Sequence, residues 1–330
     1  MNLPLQIVSM GKYIPRRKVL SAELDERLGL REGWIARHQG IQHRYWAEDD
    51  ETASQMGARA VEDALVQAGL GMQDVDLLVN TSGTAEQHIP DTGVLIQRAL
   101  GWGASGIPAF SVHATCLSFL VGLELAASLL ALGRYRTLVL VSTEVVSSGL
   151  DWSHPENASL FGDLAVAAVL RRTPEGQDSA LERYRLESYG DGAHLTQIAG
   201  GGSRLHPNHP DTRPEDNLFQ MDGAGVMRMI SGLAGPFLER VRPGLSTGLG
   251  DIDWVVPHQA SRLGIASLHL FGMGTDRMIR TLDHYGNCVA ASIPITLMEG
   301  IETGRIQRGQ RLLLLGSGAG LSMGAAILRY

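Results

Sequence analysis

The feature that most constrains this chain is a repeated order of elements. Asp74-Val-Asp-Leu-Leu-Val79 resembles Asp251-Ile-Asp-Trp-Val-Val256. Each is a short apolar run that reads as a strand and leads through a polar turn towards a helix. Later in each half a second unit follows. A helix opening at Cys116 stops before Gly133, and a strand over 138–141 comes next; a helix opening at Asn287 stops before Gly304, and a strand over 312–315 comes next. Gly69, Gly133 and Gly304 stand just past the apolar periodicity, where helix-ending glycines belong. Strands are expected at 75–81, 137–142, 254–257 and 311–316, and helices at 52–69, 91–100, 116–132, 262–271 and 290–304. This alternation predicts an α/β fold. Similar α/β units recur in unrelated folds, so chance is one origin of the repeat. The shared Asp-x-Asp lead-in favours duplication, with halves at 1–172 and 173–330. A pseudo-twofold between such halves would bring Cys116, His258 and Asn287 onto equivalent turns at one end of two central sheets.

Bulk composition narrows the function classes. With 330 residues, 44% hydrophobic and 19% charged, the chain has the means to bury a large core. A formal net charge of −7 argues against a nucleic-acid partner, which needs clustered Lys and Arg. Two cysteines do not make a disulfide framework in a chain of this length. The N-terminal residues lack the apolar run of a signal peptide, and no stretch approaches the roughly 20 apolar residues of a membrane span. The expectation is a cytoplasmic protein.

Three residues stand out for their setting. Cys116 lies in Phe110-Ser-Val-His-Ala-Thr-Cys, where an apolar run gives way to small residues and a helix. A thiol at a helix start is expected to have a lowered pKa and to act as a nucleophile; a buried inert cysteine is the competing reading. His258 follows the strand 254–257 directly, and Asn287 lies in Tyr285-Gly-Asn. Taken singly, these also suit an N-cap histidine and a turn asparagine. Gly316-Ser-Gly-Ala-Gly320 follows the last expected strand and suits either phosphate binding or an oxyanion hole. His206 and His209 sit in a proline-rich loop without the companions of a metal site, so no metal is expected. No Walker-type or dinucleotide fingerprint occurs.

Taken together, these motifs resemble those of β-ketoacyl-acyl-carrier-protein synthase III, a condensing enzyme of the thiolase superfamily. The resemblance runs nearly end to end. It covers Gly33-Trp-Ile-Ala-Arg-His-Gln-Gly-Ile41, the cysteine segment, Phe161-Gly-Asp163, Gly200-Gly-Gly-Ser-Arg204, Met221-Asp-Gly223, His258-Gln-Ala260, Tyr285-Gly-Asn287 and Gly318-Ala-Gly-Leu-Ser-Met-Gly324. It implies a five-layer α-β-α-β-α fold of two duplicated halves and a homodimer. It further implies that Cys116 takes an acyl group from acyl-CoA, with no bound cofactor. His258 and Asn287 would then steady the enolate of a malonyl thioester during decarboxylative Claisen condensation. Because a helix dipole alone can activate Cys116 while an enolate needs side-chain donors, the two are expected to act in that half-reaction more than in loading. Backbone N–H groups of Cys116 and of the turn Gly318, Ala319 and Gly320 would hold the oxyanion. An acyl carrier protein is the implied partner.

Substrate contacts are expected at Trp34, Arg37, Gly223, Arg262 and Ile89. Here the chain departs from the family. His38 stands where an Arg is usual, no Arg precedes Phe161-Gly-Asp, and Arg262 is displaced by one position. Ile89 replaces a larger aromatic in the 84–90 loop, which resembles the segment that crosses the dimer interface and ends the partner's acyl tunnel. Ile89 argues against joining two long acyl chains, although Glu86 lies near the position where relatives of that kind carry an acid. The departures favour a specialised pathway. Two other functions stay open: acyl transfer without decarboxylation, and a non-catalytic partner subunit of a condensing heterodimer.

Overall fold

The computed structural model describes residues 2–330. Two five-stranded mixed sheets face each other across a helical layer. In the first sheet the strands run in the order Gln6–Tyr13, Leu164–Arg171, Thr137–Glu144, Leu77–Asn80, Ala109–Ser111. In the second they run Leu3–Pro4, Ala180–Ser188, Ser322–Arg329, Arg311–Gly318, Trp254–Pro257. In both, a parallel pair continues into an antiparallel neighbour, and the registers correspond: Leu77 pairs with Leu138, and Trp254 with Leu312.

The Asp-x-Asp lead-ins have a mechanical role in this arrangement. The Asp76 carboxylate accepts the backbone N–H of Thr137, and the Asp253 carboxylate accepts that of Arg311. Each acid therefore pins the start of the neighbouring parallel strand, which fixes register in both sheets.

Helices Ser118–Ala131 and Ser292–Glu302 form the middle layer and pack against strands of both sheets. Their sequences are apolar nearly all round, as a helix enclosed on every side requires. Ala53–Ala68 covers the outer face of the first sheet, and Gly223–Val241 that of the second. Thr52 closes a capping box with Gln55, and Gly69, Gly133 and Gly304 take the positive φ of helix-ending glycines. The product is a five-layer α-β-α-β-α fold. No helix among the described residues is long and apolar enough to cross a membrane.

Candidate active site

Cys116 and Asn287 both sit at turns that enter the middle-layer helices, but not at equivalent positions. Cys116 is the centre of a 3-10 turn, Thr115–Leu117, that runs into Ser118–Ala131. Thr115 has a φ of 50°, costly for a β-branched residue. The strained turn is held by Ser118, whose Oγ accepts the Ala114 N–H at 2.9 Å and donates to the Thr115 carbonyl at 2.7 Å. The second half repeats this turn at Val289–Ala291: Val289 has a φ of 46°, and Ser292 Oγ accepts the Cys288 N–H at 3.0 Å. The duplication therefore places Ala290 opposite Cys116, and His113 opposite Asn287. The sequence repeat had paired Cys116 with Asn287, three residues out of step.

His258 follows the strand Trp254–Pro257, and its N–H bonds the Leu315 carbonyl at 2.8 Å; Thr81 bonds Val141 in the same way in the first half, at 2.7 Å. The His258 side chain lies against Gly316, whose missing Cβ would stand 2.6 Å from His258 Cβ. It is 5% exposed, and its Nδ1 has no hydrogen-bond partner among the described residues. Burial pushes the imidazole pKa down to about 4, so the ring is neutral at physiological pH.

Asn287 is clamped from both sides. Its N–H donates to Leu160 and its carbonyl accepts from Gly162, while Gly286 adopts a φ of 68° to pass within a Cβ's reach of the Leu160 carbonyl. The side-chain Nδ2 donates to the Ala260 carbonyl at 3.2 Å, and Oδ1 accepts the Val289 N–H at 2.9 Å. Asn287 and the His258 loop are thus tied together directly.

The glycine turn closes the ring around the sulfur. Gly318 lacks a Cβ where Thr115 Oγ1 passes, 2.7 Å from the position a Cβ would take. The backbone N–H groups of Cys116 and Ala319 lie close enough to the thiol to act on its charge. They favour the thiolate, but burial outweighs them and, with the nearby Glu144 carboxyl, pushes the thiol up to about 12. The lowered pKa expected from the helix start is not found: the intervening 3-10 turn sets Cys116 back from the α-helix N-terminus, and desolvation dominates. Cys116 nonetheless remains partly exposed, whereas Cys288 is buried with its thiol on the Tyr285 carbonyl.

One residue of this cluster was not singled out in the sequence. Glu144 ends the buried strand Thr137–Glu144 and is itself fully buried. Its carboxyl accepts from Gly83 N–H, Thr84 N–H and Thr84 Oγ1, with the Ala290 N–H turned towards it, and burial pushes it up to about 8. The only sequence signal is an acid just past the apolar run 138–141, after Ser142 and Thr143, which reads equally well as the first solvated residue after a strand.

The expected substrate residues fall in several places. Trp34 stacks on His38 with ring centroids 4.6 Å apart, and Arg262 donates to the Arg37 carbonyl, so these residues share one surface. Ile89 is 87% exposed at the tip of its loop. Gly223 is the first residue of the helix Gly223–Val241, capped by Asp222. Glu86 accepts the Ser54 N–H at 2.6 Å and so is engaged at a helix start of its own chain. His206 and His209 accept backbone N–H groups within their loop.

The fold is that of the thiolase-like condensing enzymes, as a solved relative shows: the 3-oxoacyl-[acyl-carrier-protein] synthase III of Aquifex aeolicus VF5 superposes with a TM-score of 0.86 at 27% identity, over 99% of this chain and 100% of that one. The priming β-ketosynthase of the R1128 polyketide biosynthetic pathway superposes with a TM-score of 0.86 at 28% identity, over 99% and 96%. Two family profiles match in sequence, 3-oxoacyl-[acyl-carrier-protein (ACP)] synthase III over residues 110–190 and its C-terminal counterpart over residues 245–330. The β-ketoacyl-[acyl-carrier-protein] synthase III of Desulfitobacterium hafniense is 32% identical over 326 residues, covering 98% of this chain and 97% of that protein. The chain belongs to the β-ketoacyl-acyl-carrier-protein synthase III family, and with it to the acyltransferases.

Proposed function

We propose that this protein loads an acyl group from acyl-CoA onto Cys116 and extends it by decarboxylative condensation with a malonyl thioester. The reading is carried by one observation: the Cys116 turn, the His258 loop, the glycine turn at Gly318 and Asn287 pack into one ring, with His258 and Leu117 both against Gly316, Thr115 against Gly318, and Asn287 bonded to Ala260. In loading, the sulfur attacks the acyl carbon while neutral His258 takes the thiol proton and passes it to the departing CoA sulfur. A thiol pKa near 12 leaves little free thiolate, so this base is needed in loading as well. In condensation the malonyl C–CO₂ bond breaks, and His258 and Asn287 donate hydrogen bonds to the enolate oxygen. The enolate carbon attacks the acyl-cysteine, whose oxyanion is held by the N–H groups of Cys116 and Ala319. Cys116 then leaves as thiolate and takes up a proton.

The surface that joins Trp34, Arg37 and Arg262 is the proposed contact for CoA or a carrier protein, with Gly223 as a further substrate contact. The exposed Ile89 supports a homodimer in which each protomer's loop closes its partner's acyl tunnel. Likeness to a priming polyketide ketosynthase supports a role in a specialised pathway.

Two variants separate the half-reactions. Asn287→Ala is expected to load acyl groups at near the wild-type rate and to lose product formation by about 100-fold or more. His258→Ala is expected to be slow in both. Intact-protein mass spectrometry follows loading, and chromatography follows the 3-oxoacyl product. Normal condensation by Asn287→Ala would contradict the assignment.

A further inference from the structure

We propose that Glu144 is a positioning residue for the condensation half-reaction, clamping the loop that opens at Gly83 to the turn that follows Asn287. This inference rests on the condensing function proposed above. Glu144 bridges elements that no regular secondary structure joins. One oxygen accepts the Gly83 N–H at 2.6 Å; the other accepts the Thr84 N–H at 3.0 Å and Thr84 Oγ1 at 2.7 Å. The Gly83 so held packs directly on Val289, which donates to Asn287 Oδ1, and the next residue of that turn, Ala290, turns its N–H towards the same carboxyl.

The site is built for this acid. Gly83 is wedged between the two turns, with Val289 Cγ1 2.5 Å and the Thr115 carbonyl oxygen 3.2 Å from the position of a Cβ. Register places Glu144 where the second half has Gly318, so the position that frees the oxyanion turn in one half carries the clamp in the other. Three donors from Gly83 and Thr84 converge on one buried carboxyl that burial pushes up to about 8, and no cation bonds it among the described residues. The titratable groups that face it are thiols: its charge opposes thiolate at Cys116 and at Cys288, the latter also facing Asp163.

The consequences for the two half-reactions differ in sign. Losing the clamp frees the Asn287 turn, and a misplacement of about 1 Å costs on the order of 100-fold in a step that needs that geometry. Loading does not use the Asn287 turn and so is spared; above about pH 8, where Glu144 ionises, losing its charge makes the Cys116 thiolate easier to form. A residue that merely supported the fold would lower both steps together.

The test compares wild type with Glu144→Gln, in which an amide NH₂ confronts N–H donors, and Glu144→Asp, which keeps the acceptors on a shorter stem. Acyl loading is read by intact mass and condensation by product, with the pH profile of Cys116 alkylation measured alongside. Glu144→Gln is expected to load within about threefold of wild type, to condense about 10- to 100-fold more slowly, and to alkylate Cys116 at lower pH than wild type. Glu144→Asp should fall between, and it serves if the Gln variant does not fold. Parallel loss of both steps, no loss of either, or an unmoved alkylation profile overturns the proposal. Wild-type protein that forms no product with any donor would instead overturn the condensing function, a result reached before any variant is made.

Discussion

Gly316→Ala should disable the site while leaving the fold standing. Gly316 lies in the strand Arg311–Gly318, and an added Cβ would stand 2.6 Å from His258 Cβ and 3.3 Å from Leu117 Cδ2. Ordinary carbon contacts begin near 3.4 Å, so the histidine must move by about 0.8 Å. It cannot rotate away, because the blocked atom is Cβ and its backbone N–H is bonded to Leu315. A shift of that size at a reacting group costs on the order of 100-fold in rate, or about 2.7 kcal/mol in the barrier. Overpacking of this kind destabilises by about 1–3 kcal/mol, which a chain of this size tolerates with a melting shift of a few degrees. Gly324 pairs with Gly316 on the neighbouring strand, and its added Cβ would meet only leucine methyls at 3.2–3.5 Å. Gly324→Ala is therefore the control for strand packing. Single-turnover loading and product formation, with thermal melts of both variants, make the comparison. Gly316→Ala within about threefold of wild type, or a Gly324→Ala variant equally impaired, would refute the reasoning.

Other consequences are as direct. Iodoacetamide should modify Cys116 ahead of Cys288, because only Cys116 keeps exposed surface, and peptide mapping would show the reverse if the assignment were wrong. That rate should still climb above pH 9 without a plateau, since the thiol is pushed up to about 12. His258 has a folded pKa below the unfolded value of 6.5, so its contribution to stability is complete above pH 6.5 and is lost as pH falls towards 4. The stability gap between wild type and His258→Gln in urea should therefore shift against wild type by up to about 3 kcal/mol over that range; a gap independent of pH contradicts the burial argument. Loading efficiency should rise with acyl length beyond acetyl and then fall sharply. Ile89→Phe should move that cutoff to shorter chains without slowing acetyl transfer; a profile that ignores the substitution leaves Ile89 as an interface contact only.

The sequence was most legible where local chemistry and global position agree. The strand Trp254–Pro257 was read to the residue, and the three helix-ending glycines stand where their φ requires. Other strands were hidden by composition. Leu164–Arg171 is buried almost throughout, so it shows no alternation and its alanines suggest helix. Ala180–Ser188 is rich in Leu, Glu and Arg, which also favour helix, and Gln6–Tyr13 has its pattern broken by an irregularity between Ile7 and Ser9. Gly223–Val241 escaped because Pro236 and four glycines interrupt its periodicity.

The candidate site was legible in its residues but not in its strain or its electrostatics. Nothing in Thr115 or Val289 announces a positive φ, because β-branched residues rarely adopt it; only the serines three residues on, seen in place, explain how it is held. The repeat itself was visible, but its offset was not, since Asn287 and Cys116 lie on the same two turns at different steps. Helix position alone pointed to an activated thiol, whereas its burial and the neighbouring acid depend on contacts distant in sequence.

The central claim is tested most directly by a two-step mass experiment on wild-type protein. Incubation with an acyl-CoA should add one acyl mass, mapped to the Cys116 peptide, with release of free CoA. A chase with a malonyl thioester should remove that mass and yield stoichiometric CO₂ and 3-oxoacyl thioester. An adduct on any residue other than Cys116, or a chase that moves the acyl group without releasing CO₂, would contradict the account.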